Sequence, residues 1–207
     1  WPRKLRWIGV LVLMALSAGL SSRGIVRLLP FEPNVDEVVI VGPAVSIAST
    51  GDLNPHWFGY PASTMIYPLA GMLSVWDHLA GDRPLAQVDA EGRSAIDSNR
   101  GPIFLLGRVL SVAYAVGTIP LLFGLGKRLH GEPVALLAGL GLAVCPLWID
   151  FAQQARTDAA ASFFATATLL FAVRALERPS MLEFLAVGSA AGLAIASRYM
   201  MAPLGIV

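Results

Sequence analysis

Charged residues are scarce in this sequence and unevenly distributed along it. They make up 14% of the 207 residues, whereas a soluble domain carries roughly 25%. Most of them lie near the N-terminus, in a polar region from about Arg23 to Arg108, and at short polar breaks farther along. The stretches between these points are long and apolar. A domain surrounded by water could not tolerate such runs, so the composition predicts a membrane protein.

Two further scarcities limit the function. The single cysteine, Cys145, excludes an internal disulfide and lies in an apolar run. A net charge of +1 lacks the basic excess typical of nucleic-acid-binding proteins. The chain also begins without methionine, and residues 200–207 are apolar, where a free carboxylate would be costly. We therefore expect these residues to be part of a longer polypeptide.

Five apolar runs have the length and composition of spanning helices. They cover residues 7–28, 103–125, 134–149, 159–176 and 182–207. Basic residues before the first run are also typical of a signal peptide. Because no A-x-A-like cleavage site follows, we interpret this run as an uncleaved helix. The sequence thus predicts an all-α, polytopic membrane helix bundle forming a single transmembrane domain.

A large polar loop, residues 29–102, separates the first two expected spans. Within it, residues 62–79 are apolar enough to be considered a span, which would invert everything that follows. Pro61, Pro68, Asp77 and His78 favour an interfacial or re-entrant helix instead. The mixed charges of residues 82–100 are typical of a solvated surface loop.

Basic residues in the short loops predict the orientation. If the N-terminus is cytoplasmic, most of them share its side: Arg3, Lys4, Arg6, Lys127, Arg128, Arg174 and Arg178. The opposite short loop, residues 150–158, carries only Arg156. The large loop then faces the outer compartment, together with the start of the fourth expected span.

Candidate reactive residues lie on this outer side. Asp36 and Glu37 follow the first span, His56 stands among aromatic residues and prolines, and Asp158 begins the fourth span. The alternatives are ordinary: carboxylates favour helix N-termini, and a loop histidine is often merely solvated. Arg108 and Arg156 lie near the outer boundary, where they bind phosphate or act as interfacial anchors.

The order of these features resembles a known family. After the Asp-Glu pair come N-P-H-W-F-x-Y-P, an arginine near the start of the second span, G-K-R-L-H-G at its end, and an acidic residue after the third span. This order is similar to the N-terminal half of GT-C glycosyltransferases of the protein-mannosyltransferase and aminoarabinose-transferase type. Tyr60-Pro61-Ala62 replaces their more usual His-Pro-Pro or Lys-Pro-Pro, which leaves the donor sugar open.

The resemblance implies inverting transfer of a sugar from a polyprenyl-phosphate donor to a protein, lipid or glycan acceptor on the extracytoplasmic face. It implies no cofactor and at most a weak requirement for a divalent metal. The catalytic candidates are Asp36, Glu37 and Asp158. The substrate-binding candidates are His56, Tyr60, Arg108, Arg156 and Arg198.

Arg198 stands out because it lies inside an apolar stretch, where a charge indicates function or pairing with another charge. Two other protein classes remain as alternatives. A secondary transporter would more typically show broken helices at the midplane and internal repeats. A membrane scaffold or assembly protein would not need acidic residues gathered on one side.

Overall fold

The computed structural model describes residues 3–27, 29, 34–56, 58–59, 61–80, 85 and 100–206. Within these residues the chain is helical and has no strand, which confirms the all-α prediction. The α-helices are α1 (Arg3–Ser22), α2 (Val35–Thr50), α3 (Ser63–Leu79), α4 (Arg100–His130), α5 (Glu132–Ala143), α6 (Pro146–Ala152), α7 (Thr157–Glu177) and α8 (Met181–Ser197). A 3-10 helix, Tyr199–Ile206, follows α8.

Two of the described helices are long and apolar enough to cross a bilayer, namely α4 and α7. A third crossing is available if the bent pair α5–α6 counts as one span. Two shorter apolar helices, Trp7–Ser22 within α1 and Met181–Ser197, accompany them. The five expected spans thus correspond to helical segments, of which α4 and α7 reach spanning length as single helices.

The expected third span, 134–149, is divided in the structure. Helix α5 ends at Ala143 and α6 begins at Pro146, with a bend of 61° between them. Proline lacks a backbone N–H and disfavours helical geometry in the residue before it. Accordingly Cys145 is extended, with φ −65° and ψ 118°. The expected third span therefore consists of two helices joined at a bend.

The expected fifth span, 182–207, is also divided. Helix α8 ends at Ser197, and Arg198 adopts an extended conformation with φ −152° and ψ 130° before the 3-10 helix begins. Arg198 consequently lies at the end of a helix and not within one. Its charged group belongs to the polar end of the bundle described below.

Helix α4 connects the two polar ends of the bundle. Arg108 lies in its N-terminal part, and Lys127 and Arg128 lie in its last turn, where positive charge complements the helix dipole. The helix between Arg108 and Arg128 is about 30 Å long at 1.5 Å per residue, close to the thickness of a bilayer's hydrocarbon core. Gly131 ends the helix with a φ of 87°, which glycine adopts without strain.

Ion pairs join neighbouring helices at the Arg128 end. Lys127 contacts Glu132 at 3.2 Å, Arg128 pairs with Glu177, and the Arg174 guanidinium donates to Glu183 at 2.5 Å. These contacts connect α4 to α5, α4 to α7, and α7 to α8. They join the ends of these four helices to one another. A second group of charged residues lies at the Arg108 end of the bundle.

The largest apolar core lies under α2 and α3. Ile40 and Val41 of α2, Met65 and Leu69 of α3, and Phe104 of α4 are buried together there. This core extends to Ala155, in the loop between α6 and α7. Helices α2 and α3 therefore pack against the N-terminal part of α4. This packing places the first residues of the large loop beside the bundle.

A substitution at Gly107 tests this packing. A Cβ added to Gly107 would lie 2.8 Å from Cβ of Ala155, whereas one added to Gly188 would meet nothing within 4 Å of the described chain. Gly107→Ala should lower the free energy of unfolding by about 1–3 kcal/mol, the usual cost of overpacking. Gly188→Ala, the matched control on α8, should be neutral or raise it by about 0.5–1 kcal/mol. Unfolding in detergent measures both, and equal stabilities would contradict the close approach.

Candidate active site

Helix α2 begins with a capping box. The Asn34 side chain accepts a hydrogen bond from the backbone N–H of Asp36 at 3.0 Å, and the backbone N–H of Asn34 donates to Glu37 Oε2 at 3.2 Å. This reciprocal arrangement satisfies backbone donors that the first turn would otherwise leave free. It fixes the first turn of α2, which carries both Asp36 and Glu37.

The Glu37 carboxylate forms a buried ion pair with Arg108. Arg108 Nε donates to Oε1 at 2.8 Å and Nη2 donates to Oε2 at 2.7 Å, and the Glu37 side chain is 0% exposed. The backbone N–H of Ala155 also donates to Oε1, at 2.7 Å. Arg108 Nη1 donates to the carbonyls of Ile25 and Arg27, each at 2.8 Å. Both Glu37 oxygens and all three Arg108 nitrogens therefore form hydrogen bonds within the protein.

A second group of charges, here called the Asp–Arg chain, consists of Asp36, Arg156, Asp158 and Arg198. Arg156 Nη2 lies 3.1 Å from Asp36 Oδ2, and Arg156 Nε lies 3.2 Å from Asp158 Oδ2. Arg198 Nη1 pairs with Asp158 Oδ1. One guanidinium group thus contacts both aspartates, so Asp36 and Asp158 lie close together although they are far apart in sequence.

The contacts of Arg156 with Asp36 and Asp158 are ion pairs of similar length, 3.1 and 3.2 Å. Asp158 Oδ2 is close to Arg156 Nε, yet this buried oxygen accepts no hydrogen bond from the described residues. The N–H of Nε is therefore not directed at the oxygen, and the contact is one of charge. The ring of Phe151 lies beneath the same guanidinium, 5.2 Å from its carbon, and limits its movement.

Exposure changes along the Asp–Arg chain. The Asp36 side chain is 59% exposed and that of Arg156 is 20% exposed. Asp158 is 9% exposed and Arg198 is 26% exposed. Asp36 is therefore the accessible carboxylate, whereas Asp158 lies inside between two guanidinium groups. The first turn of α7 suits Asp158, because the helix dipole favours a negative charge there.

The comparisons with known proteins bear on this site. The sequence matches the family described as dolichyl-phosphate-mannose-protein mannosyltransferase over residues 102–207, just over half of the chain. The chain belongs to this family. Membership confirms the resemblance to GT-C glycosyltransferases and supports an integral membrane protein. No curated protein and no solved structure matches the chain.

The matched part of this mannosyltransferase-family chain contains three members of the Asp–Arg chain, namely Arg156, Asp158 and Arg198, as well as Arg108. Asp36 and Glu37 lie before it and are joined to it by the ion pairs described above. The geometry therefore connects the matched region to the start of α2.

The histidine candidate lies elsewhere. Asp36 is in the first turn of α2, and His56 follows the C-terminal end of this helix, which is about 21 Å from Asp36 along the helix axis. His56 Nε2 is 2.8 Å from Asp52 Oδ2. A hydrogen bond from the backbone N–H of Asn54 is the largest cause that lowers the pKa of Asp52, and the hydrogen bond with the His56 side chain is the second. Tyr60 lies outside the described residues, as does most of the expected surface loop 82–100.

Sequence reasoning missed several groups at this site. Asn34 donates through Nδ2 to Gln154 Oε1 at 2.8 Å, and Phe151 and the Ala155 N–H contact Arg156 and Glu37 respectively. Asn34 and Glu37 do carry the N-x-x-E signature of a capping box, which could have identified their local role. No sequence signal marks the Ala155 N–H. Among the described residues, no three His, Cys, Asp or Glu side chains are placed to hold a metal ion.

The buried pair gives a stability prediction. Glu37→Ala leaves the Arg108 charge buried without its partner, and we expect it to lower the free energy of unfolding by about 3–5 kcal/mol. Asp36→Asn, in the same helical turn but exposed, should change it by about 0.5 kcal/mol or less. Chemical unfolding of both proteins in detergent measures the difference. Similar stabilities for the two variants would show that the pair does not hold this end of the bundle together.

Proposed function

We propose that this protein transfers a sugar from a polyprenyl-phosphate donor to an acceptor hydroxyl, with inversion, on the extracytoplasmic face of a membrane it crosses several times. The family description names dolichyl-phosphate-mannose as a donor and protein as an acceptor, and polyprenyl-phosphate sugars are the wider class to which that donor belongs. The observation that carries the proposal is an accessible carboxylate, Asp36, in contact with an arginine that also contacts Asp158.

Asp36 has the position that a general base requires. As the new glycosidic bond forms, the acceptor hydroxyl must lose its proton, and a carboxylate within hydrogen-bond reach can accept it. Asp36 is the most exposed carboxylate of the site, and the capping box holds its backbone in place. Its contact with Arg156 places it beside the group that we assign to the phosphate.

Arginine side chains suit the other half of the reaction. The leaving group is a lipid phosphate, which needs stabilisation of its negative charge and no proton donor. A guanidinium group binds phosphate oxygens through two parallel N–H groups. Arg156 and Arg198 are partly exposed and meet at Asp158, so we assign them to phosphate binding. Arg108 is committed to Glu37, and we assign this pair to positioning α2.

Inversion follows from the number of available carboxylates. A retaining enzyme needs a carboxylate nucleophile in addition to an acid–base residue. Of the three catalytic candidates, Glu37 is buried on Arg108, and Asp158 is nine-tenths buried between Arg156 and Arg198. Asp36 alone among these three is open, which favours a single displacement with one base.

The extracytoplasmic location rests on the distribution of positive charge. Lys127, Arg128, Arg174 and Arg178 lie near the ends of α4 and α7 that are remote from Arg108 and Asp158. Basic residues in short loops favour the cytoplasmic side, and acidic neighbours offset them little. The Asp–Arg chain would then face outward, where a lipid-linked donor presents its sugar.

Replacing Asp36 tests the proposal. Asp36→Asn keeps the shape and removes the basicity, so sugar transfer should fall by about 10²–10⁴-fold while expression and membrane insertion stay normal. Transfer from a polyprenyl-phosphate sugar is measured with the full-length enzyme in membranes. The anomeric configuration of the product reports inversion directly.

The matched control is Asp52→Asn, which removes the same charge beyond the far end of α2. It should retain near-normal transfer, because Asp52 contacts His56 and not the Asp–Arg chain. Near-normal turnover in Asp36→Asn would place the base elsewhere, with Asp158 as the next candidate. Retained configuration in the product would contradict the single displacement.

A further inference from the structure

The Asp–Arg chain suggests how the two halves of the reaction are coupled. Building on the proposed function, we propose that the Arg156 guanidinium changes partner during transfer: its Nη2 edge leaves Asp36 as that carboxylate becomes protonated and binds the departing phosphate. In this role Arg156 contacts the leaving group, whereas Asp158, itself paired with Arg198, is a positioning residue that lies beside Nε of the same guanidinium.

The charges of the reaction create the need for such a group. The donor is a phosphodiester with one negative charge, and Asp36 carries another. The acceptor oxygen bonds to the anomeric carbon, the bond from that carbon to the phosphate oxygen breaks with its electron pair going to oxygen, and the hydroxyl proton goes to Asp36. The product is then a phosphate monoester with close to two negative charges, and Asp36 is neutral. One unit of negative charge has moved from Asp36 to the phosphate.

A positive group that contacts Asp36 can follow this charge over a short distance. Arg156 Nη2 lies 3.1 Å from Asp36 Oδ2. Asp36 is 59% exposed, so its hold on the guanidinium is a surface contact of modest strength. Protonation of Asp36 removes the charge that maintains this contact. The released Nη2 then presents its N–H groups to the new phosphate charge.

The Nε atom of the same guanidinium lies beside a more buried partner. Arg156 Nε lies 3.2 Å from Asp158 Oδ2, and Asp158 is nine-tenths buried with Oδ1 paired to Arg198. The Phe151 ring limits movement out of plane. Asp158 Oδ2 accepts no hydrogen bond from the described residues, so a small rotation of the whole guanidinium plane can direct the N–H of Nε at it. The geometry therefore permits a small pivot and does not require Arg156 to leave the site.

The inference can be tested by ligand binding, without turnover. Asp36→Asn imitates the protonated base, so it should release Arg156 and strengthen binding of a polyprenyl phosphate monoester by about tenfold, the size of coupling between residues in contact. The probe is a short-chain polyprenyl phosphate, titrated at pH 8 into the full-length protein in nanodiscs. The variants are Asp36→Asn, Arg156→Gln and the double variant, with Asp52→Asn as a control for loss of charge.

In the Arg156→Gln background, Asp36→Asn should strengthen binding by no more than about threefold, because only the distant charge effect remains. Arg156→Lys keeps the charge but offers one nitrogen, so it should also lose the coupling, and it replaces the glutamine variant if that protein misfolds. A matched monoanionic phosphodiester should gain less than the monoester. Equal gains with and without Arg156 would overturn the inference while leaving the proposed function intact. No binding of the monoester by the wild type would overturn both.

Discussion

The buried carboxylate of Glu37 holds together four segments of the chain. Its two oxygens accept hydrogen bonds from Arg108, from the Ala155 N–H and from the Asn34 N–H. Arg108 in turn donates to the carbonyls of Ile25 and Arg27. The turn after α1, the start of α2, the body of α4 and the loop before α7 therefore meet at one ion pair. A pair this deeply buried persists only because each oxygen and each engaged N–H has a partner.

The Glu37–Arg108 ion pair determines where Asp36 lies. Successive residues in a helix point about 100° apart, so when Glu37 faces inward its neighbour must face another direction. Asp36 faces the loop that carries Arg156, which the Ala155–Glu37 hydrogen bond holds beside the start of α2. The adjacent carboxylates thus divide two tasks that one residue could not perform, since a fully bonded carboxylate cannot accept a substrate proton.

Much of this architecture could be predicted from the sequence because it depends on local composition. The helices over residues 103–125 and 159–176 follow from long apolar runs, and Asp158 at the start of α7 follows from its place beside such a run. The break before Pro146 also had a local signal, the proline itself. A prediction based only on the length of the apolar run does not take that signal into account. The pairing of Glu37 with Arg108, 71 residues away, had none. Such contacts between distant residues depend on how whole helices pack against one another.

Alternation of charge explains why the reacting end of the Asp–Arg chain is also its open end. Two aspartates and two arginines cancel formally, so the buried members can remain charged at low cost in a poorly polarisable interior. Asp158 and Arg198 are held by each other, and Arg156 is shared between the inner and outer aspartate. Asp36, at the exposed end, contacts Arg156. Protonation of Asp36 therefore changes the charge beside Arg156 first. The effect can then pass from Arg156 to Asp158, the next residue of the Asp–Arg chain.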